Sequence, residues 1–213
     1  MVTRLFLSVV FVFALLPLSA EASIVIGFSD KADWTGVKFT PGETGANLIG
    51  TVGNDASLAV SVMSDLSMLA QGSNTLNNSS GTSNPLYNTN LMITPDSFVG
   101  FRDFQQNLDF NSVDQIVKVT VFYTDSDGLN PMSTFENVNF ADAPNNSDRY
   151  DVFTDAGEII TKIQLESVAG TIVGSSKQIR ISPDSVVRVP EPSSLVMFAT
   201  LLGYCGLRRR HHR

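Results

Sequence analysis

The stretch QIVKVTVFY, residues 115–123, decides what kind of fold this chain adopts. Val117, Val119, Val121 and Tyr123 fall on one side of an extended backbone. Lys118 and Thr120 fall on the other, beside Ile116 and Phe122. A period of two is the signature of a strand with one face in a core, whereas a helix would space its apolar residues three and four apart. The stretch EIITKIQLES, residues 158–167, repeats the pattern, with Ile159, Thr161, Ile163 and Leu165 on one face and Lys162, Gln164 and Glu166 toward water.

Outward from these two, short apolar or alternating runs at 23–28, 36–39, 47–52, 57–63, 97–101, 134–140, 150–153, 171–173 and 178–181 read as further strands. Turn formers separate them: Pro41-Gly42, Gly53-Asn54-Asp55, the DSDG of residues 125–128, Pro144-Asn145-Asn146 and Ala169-Gly170. About eight to eleven short strands at this spacing predict an all-β fold, a two-sheet antiparallel sandwich of jelly-roll type. One segment does not suit it. Residues 71–90, QGSNTLNNSSGTSNPLYNTN, are nearly all Ser, Asn, Thr and Gly, with only Leu76, Leu86 and Tyr87 as bulky anchors. Such a composition predicts a disordered excursion with no partner; the alternative is a flexible loop near one end of the sandwich, where binding sites of such folds often lie.

Charge and residue usage narrow the chemistry. The chain carries a net charge of −7, and residues 23–187 hold eight basic against nineteen acidic side chains, a body at −11. That surface repels nucleic acid phosphates and anionic lipid heads. The only cysteine is Cys205, and the only histidines are His211 and His212, all near the chain's end. The body therefore has no thiolate or imidazole for a nucleophile, a Ser-His-Asp arrangement or a usual zinc site.

The two ends are apolar for different reasons. Residues 1–22, MVTRLFLSVVFVFALLPLSAEA, combine Arg4, an apolar stretch over 5–16, a breaker at Pro17 and the small-x-small site Ala20-Glu21-Ala22. This is the layout of a secretory signal peptide, with cleavage expected before Ser23. Residues 188–213 hold VPEPS, then a thirteen-residue apolar run over 195–207, then Arg208, Arg209, Arg210 and Arg213. As a helix that run is about 20 Å long against a hydrocarbon core of about 30 Å, a short span unless the bilayer thins or flanking residues reach outward. The arginines are expected to stay cytoplasmic, leaving the 23–187 body on the far side.

In the order Pro190-Glu191-Pro192-Ser193, apolar run, arginine cluster, the tail resembles the PEP-CTERM sorting signal of Gram-negative bacteria. The resemblance implies that an exosortase-type membrane transpeptidase recognises Pro190, Glu191 and Pro192 with Ser193 following. It also implies that 195–207 is a transient span, and that Arg208, Arg209, Arg210 and Arg213 retain it after the general secretion machinery has acted. It further implies a setting among exported polysaccharides in biofilm-forming bacteria. The same tail is also described as an ice-binding protein C-terminal domain. Ice binding would require a flat, regularly spaced threonine array, which this sequence lacks.

Within the body, the DSDG turn offers Asp125 and Asp127 as a weak Ca2+ candidate, although an EF-hand loop would place a ligand where Leu129 stands. Asp103, Asp109, Asp114, Asp142, Asp148, Asp151 and Glu158 could supply a glycosidase pair, but nothing in their spacing selects two of them. Trp34 with Phe28, Tyr87, Tyr123 or Tyr150 could form a sugar-stacking platform, though aromatics at strand positions are by default core. The expectation is a non-enzymatic exported protein with a structural or adhesive role beside exopolysaccharide. Alternatives are a carbohydrate-binding module and a carboxylate-dependent glycan hydrolase or lyase.

Overall fold

The computed structural model describes residues 24–28, 34–125, 127–142, 149–154, 157–168, 170–182 and 186–187. Ala20 and Ala22 of the expected cleavage site, the Pro190 to Ser193 motif and the arginine cluster lie outside the described residues. Among the described residues no helix is long and apolar enough to cross a membrane.

The described residues form twelve strands: β1 (Ile24–Gly27), β2 (Thr35–Lys38), β3 (Thr44–Val52), β4 (Asp55–Gln71), β5 (Thr75–Asn78), β6 (Asn90–Pro95), β7 (Asp103–Phe110), β8 (Ile116–Thr124), β9 (Met132–Asn139), β10 (Arg149–Thr154), β11 (Ile159–Ser167) and β12 (Val173–Ile181). They form one large antiparallel sheet in the order β1-β10-β7-β12-β2-β3-β4-β6-β11-β8-β9. β5 stands off this path and pairs with both β12 and β4. The ladders β12–β2, β2–β3, β3–β4, β4–β5 and β5–β12 thus close a hydrogen-bonded circuit, which leaves the facing edges of β12 and β4 shielded along that stretch.

The sheet folds back on itself. Phe140, in a 3₁₀ turn after the last strand of the path, packs at ring distances of 5.6 Å on Phe28, 5.2 Å on Phe110 and 5.6 Å on Tyr150, all at the path's beginning. Phe101 stacks on Phe104 at 5.7 Å and pairs its backbone with Ile160, joining the two halves a second time. The hydrophobic core includes Leu48, Val60, Val62, Leu91, Ile93, Val117, Val119, Val121 and Ile163, all fully buried.

β8 runs as its alternation predicts. Its outward residues are held by neighbours: Lys118 Nζ lies 3.6 Å from Glu136 and 3.2 Å from Glu166, and Lys162 sits 3.6 Å above the Phe122 ring. β11 departs from expectation in one respect. Its pairing with β8 shifts register between Ile160 and Lys162, so Ile160, Ile163 and Leu165 are buried while Ile159 is only half-buried. The bulge places the extra residue, Thr161, where its hydroxyl donates to the Phe122 carbonyl at 3.2 Å, and reverses the facing of the two isoleucines.

Other expectations are corrected. Residues 97–101 form no strand; Gly100 and Phe101 make isolated bridges to Val187 and Ile160. A Cβ at Gly100 would overlap the Ile160 carbonyl, so this close approach requires glycine. Val173, from the run at 171–173, and the whole run at 178–181 belong to one strand, β12, while Thr171 and Ile172 precede it. β6 and β7 were not expected. In β7, Phe104, Gln106 and Leu108 point inward, so a glutamine interrupts the apolar face.

The largest correction concerns residues 71–90. They include β5, and Leu76, Leu86 and Tyr87 are fully buried, with Asn77 and Asn78 also buried. A polar sequence can order in this way only if its own side chains take over the hydrogen bonds of its backbone. Asn78 Nδ2 donates to the Pro85 carbonyl at 2.7 Å, Asn78 Oδ1 accepts from Ser80 N at 2.7 Å, and Asn84 Nδ2 donates to the Ser80 carbonyl at 3.2 Å. The segment's exit is fixed by Leu86 N donating to Val173 O at 2.7 Å and by Asp65, whose carboxylate accepts from Asn88 N, Thr89 N and Thr89 Oγ1 at 2.8–3.0 Å.

Candidate functional site

Where residues 71–90 lie beside β12 and the end of β7, they enclose a half-open cleft of about 300 Å³. One wall is Gln71, Thr75, Asn77, Thr82 and Ser83. The other is Asp109, Asn111, Gly174, Ser175 and Lys177. Every side chain in the lining is polar.

Strand parity sets this composition. Asp109 of β7 stands opposite Ser175 of β12 on the face away from the core, and Ser176 faces inward. Ser175 Oγ donates to Asp109 Oδ2 at 2.9 Å, and Lys177 Nζ forms an ion pair with the same oxygen. Both charged side chains keep about two-fifths of their surface exposed. On the opposite wall Asn77 Nδ2 donates to Gln71 Oε1. Asn111 joins the walls, its Nδ2 donating to the Thr82 carbonyl at 2.8 Å. Its amide lies against Gly174, where a Cβ would collide with it. Glycine at 174 is thus what lets Asn111 cross the cleft floor.

A buried polar layer supports the site from below. Tyr150 Oη donates to Gln106 Oε1 at 2.8 Å, and Gln106 Nε2 donates to Ser176 Oγ at 2.6 Å. Burial, and secondarily the neighbouring Tyr87, holds the Tyr150 phenol well above its ordinary pKa, so it remains a proton donor in this chain of bonds. On the other side of β7, and also fully buried, Gln105 Nε2 donates to Asp151 Oδ1 at 2.6 Å, and Arg180 Nη1 donates to Gln105 Oε1 at 3.3 Å.

Of the acidic residues singled out from sequence, Asp109 and Asp151 stand apart on the sheet. By register Asp151 pairs with Gln105, four residues along β7 from Asp109. At about 3.3 Å per residue those backbone positions are about 13 Å apart, beyond the roughly 5–9.5 Å carboxyl separations of glycosidases. Glu158 is buried, and its Oε2 has no hydrogen-bond partner. Asp148 lies outside the described residues. Asp125 Oδ1 accepts from Asp127 N at 3.0 Å and Leu129 N at 2.9 Å, and Gly128 N donates back to the Asp125 carbonyl at 3.1 Å. That carboxylate oxygen is therefore engaged by its own turn. Among the described residues no three acids, histidines or cysteines gather as a metal site would need.

The aromatics do not assemble a platform. Tyr87, Tyr123 and Tyr150 are buried in the core, Phe28 packs on Phe140, and Trp34 meets Phe153 edge-on at 5.8 Å. From sequence, residues 71–90 read first as a disordered excursion and only second as a binding loop, and Asp109 read as one acid among many; Asn111 and Lys177 carry no signal at all, being ordinary surface residues until the register brings them beside Asp109. No family model matches the chain, and neither the curated proteins nor the solved structures gave a match.

Proposed function

We propose that this protein is exported, sorted through its C-terminal tail, and serves at the cell envelope or in an extracellular polysaccharide matrix in a structural or adhesive role. Its sheet would fold into a two-layer sandwich of jelly-roll type that holds material in place without converting it. The observation that carries the holding role is the make-up of the cleft: hydroxyls, carboxamides and an ion pair whose charges cancel. Such a lining offers many neutral hydrogen bonds and engages one oxygen of its one carboxylate with a lysine and a serine. The layout of the two ends supports export and sorting, with Pro190, Glu191, Pro192 and Ser193 presented to an exosortase-type transpeptidase and Arg208, Arg209, Arg210 and Arg213 held at the inner face.

Cell fractionation and intact-mass measurement test this. The wild-type body should appear outside the cytoplasm, lighter by the leader and by the tail. Glu191→Gln or removal of residues 208–213 should leave a heavier, membrane-held product. A full-length cytosolic chain, or the same unprocessed product from every variant, would refute it. A second reading, a carbohydrate-binding module, is favoured by the same cleft.

A further inference from the structure

We infer that the cleft between residues 71–83 and the β7–β12 pair is a subsite for an uncharged, hydroxyl-rich glycan segment, one sugar ring or a short run of rings. This rests on the carbohydrate-binding reading and specifies its ligand class.

The lining supplies both partners that vicinal hydroxyls require. Asp109 takes both of its contacts on Oδ2 and keeps acceptor capacity for a hydroxyl. Asn111 uses one amide hydrogen on Thr82 and retains a second donor and its own carbonyl. Thr75, Ser83 and Gln71 add groups that both donate and accept. A pyranose, whose neighbouring hydroxyls each donate one bond and accept others, matches that mixture better than a purely donating or purely accepting ligand would.

Charge selects against the acidic polysaccharides. Within the cleft Lys177 is neutralised by Asp109, and the surrounding body stands at −11, so a polyuronate approaches a repelling surface with no free cation to meet. The volume, about 300 Å³ and half-open, is at the small end for ligand sites and suits a chain passing over the surface. Without an aromatic face in the lining, each contact is weak, and retention in a matrix would come from many copies along one polymer.

The test is affinity electrophoresis of the full-length detergent-solubilised chain through gels containing soluble α- and β-glucans, galactan, mannan or, as the polyanion, alginate. The wild type should be retarded by at least one uncharged polymer and not by alginate. Asn111→Ala and Gly174→Ala, which remove or displace the bridging amide, should weaken retardation about tenfold, as should Thr75→Val, which leaves that bridge intact. Asp109→Asn frees Lys177 and should lose the uncharged polymer while gaining retardation by alginate. Absence of retardation by every uncharged polymer, a wild-type preference for alginate, or full retardation in folded Thr75→Val and Gly174→Ala would each overturn the inference. Fractionation separates its failure from that of the export reading: an exported chain that binds no glycan sinks only the cleft, and a cytosolic chain that binds glycan sinks only the export.

Discussion

Asp65 is an exposed carboxylate held below its ordinary pKa of 3.8: partial burial pushes upward, but the hydrogen bonds from Thr89 Oγ1 and the amides of Asn88 and Thr89 outweigh it. A depressed folded-state value stabilises the fold above the unfolded-state pKa and ceases to do so as pH falls through the folded-state one. The stability difference between wild type and Asp65→Asn should therefore be full at neutral pH and shrink below about pH 4, followed by thermal melts across pH 3–7. A gap that stays constant to pH 3 would show that the three bonds do not favour the ionised form. Gly100 is a second single-residue determinant. Alanine there meets the fixed backbone of β11, so Gly100→Ala should destabilise by about 1–3 kcal/mol in urea unfolding. At this scale the sequence was partly legible: Leu76, Leu86 and Tyr87 stood out as anchors and are buried, whereas no local signal marks Gly100 or Gly174, whose necessity comes from residues far along the chain.

Strands with clean alternation were readable, and those whose inward face carries a polar side chain were not. β8 follows its pattern from Val117 to Tyr123. β7 hides behind Gln106, which is tolerated inside only because Tyr150 and Ser176 satisfy its amide. β5 hides within a serine- and asparagine-rich run because its order comes from backbone pairing with β4 and β12 on both sides, which an apolar pattern does not report. Its role is better measured by pairing than by burial. Proline at Leu76 would remove a ladder donor from a strand bonded on both sides and empty a fully buried site, so Leu76→Pro should destabilise more than Leu76→Ala, itself expected to cost about 2–5 kcal/mol. Equal costs in denaturant titrations would mean that packing alone holds the strand.

The whole molecule rests on contacts that return the last strand of the path to the first. Phe140 gathers Phe28, Phe110 and Tyr150, and Phe140→Ala should cost about 3–5 kcal/mol, read as a lowered denaturant midpoint with loss of near-ultraviolet dichroism. Fold class was legible from period-two patterning, but the circuit through β5 was not, since it joins segments about a hundred residues apart. β5 has a thermodynamic consequence as well. Only four residues long and gripped from both sides, it can detach as a unit and expose two strand edges at once, the sort of subglobal opening that amide exchange detects. Because Thr75 and Asn77 ride on it, any occupant of the cleft is coupled to that opening, and saturating sugar should slow deuterium uptake at 75–78 while leaving β8 unchanged.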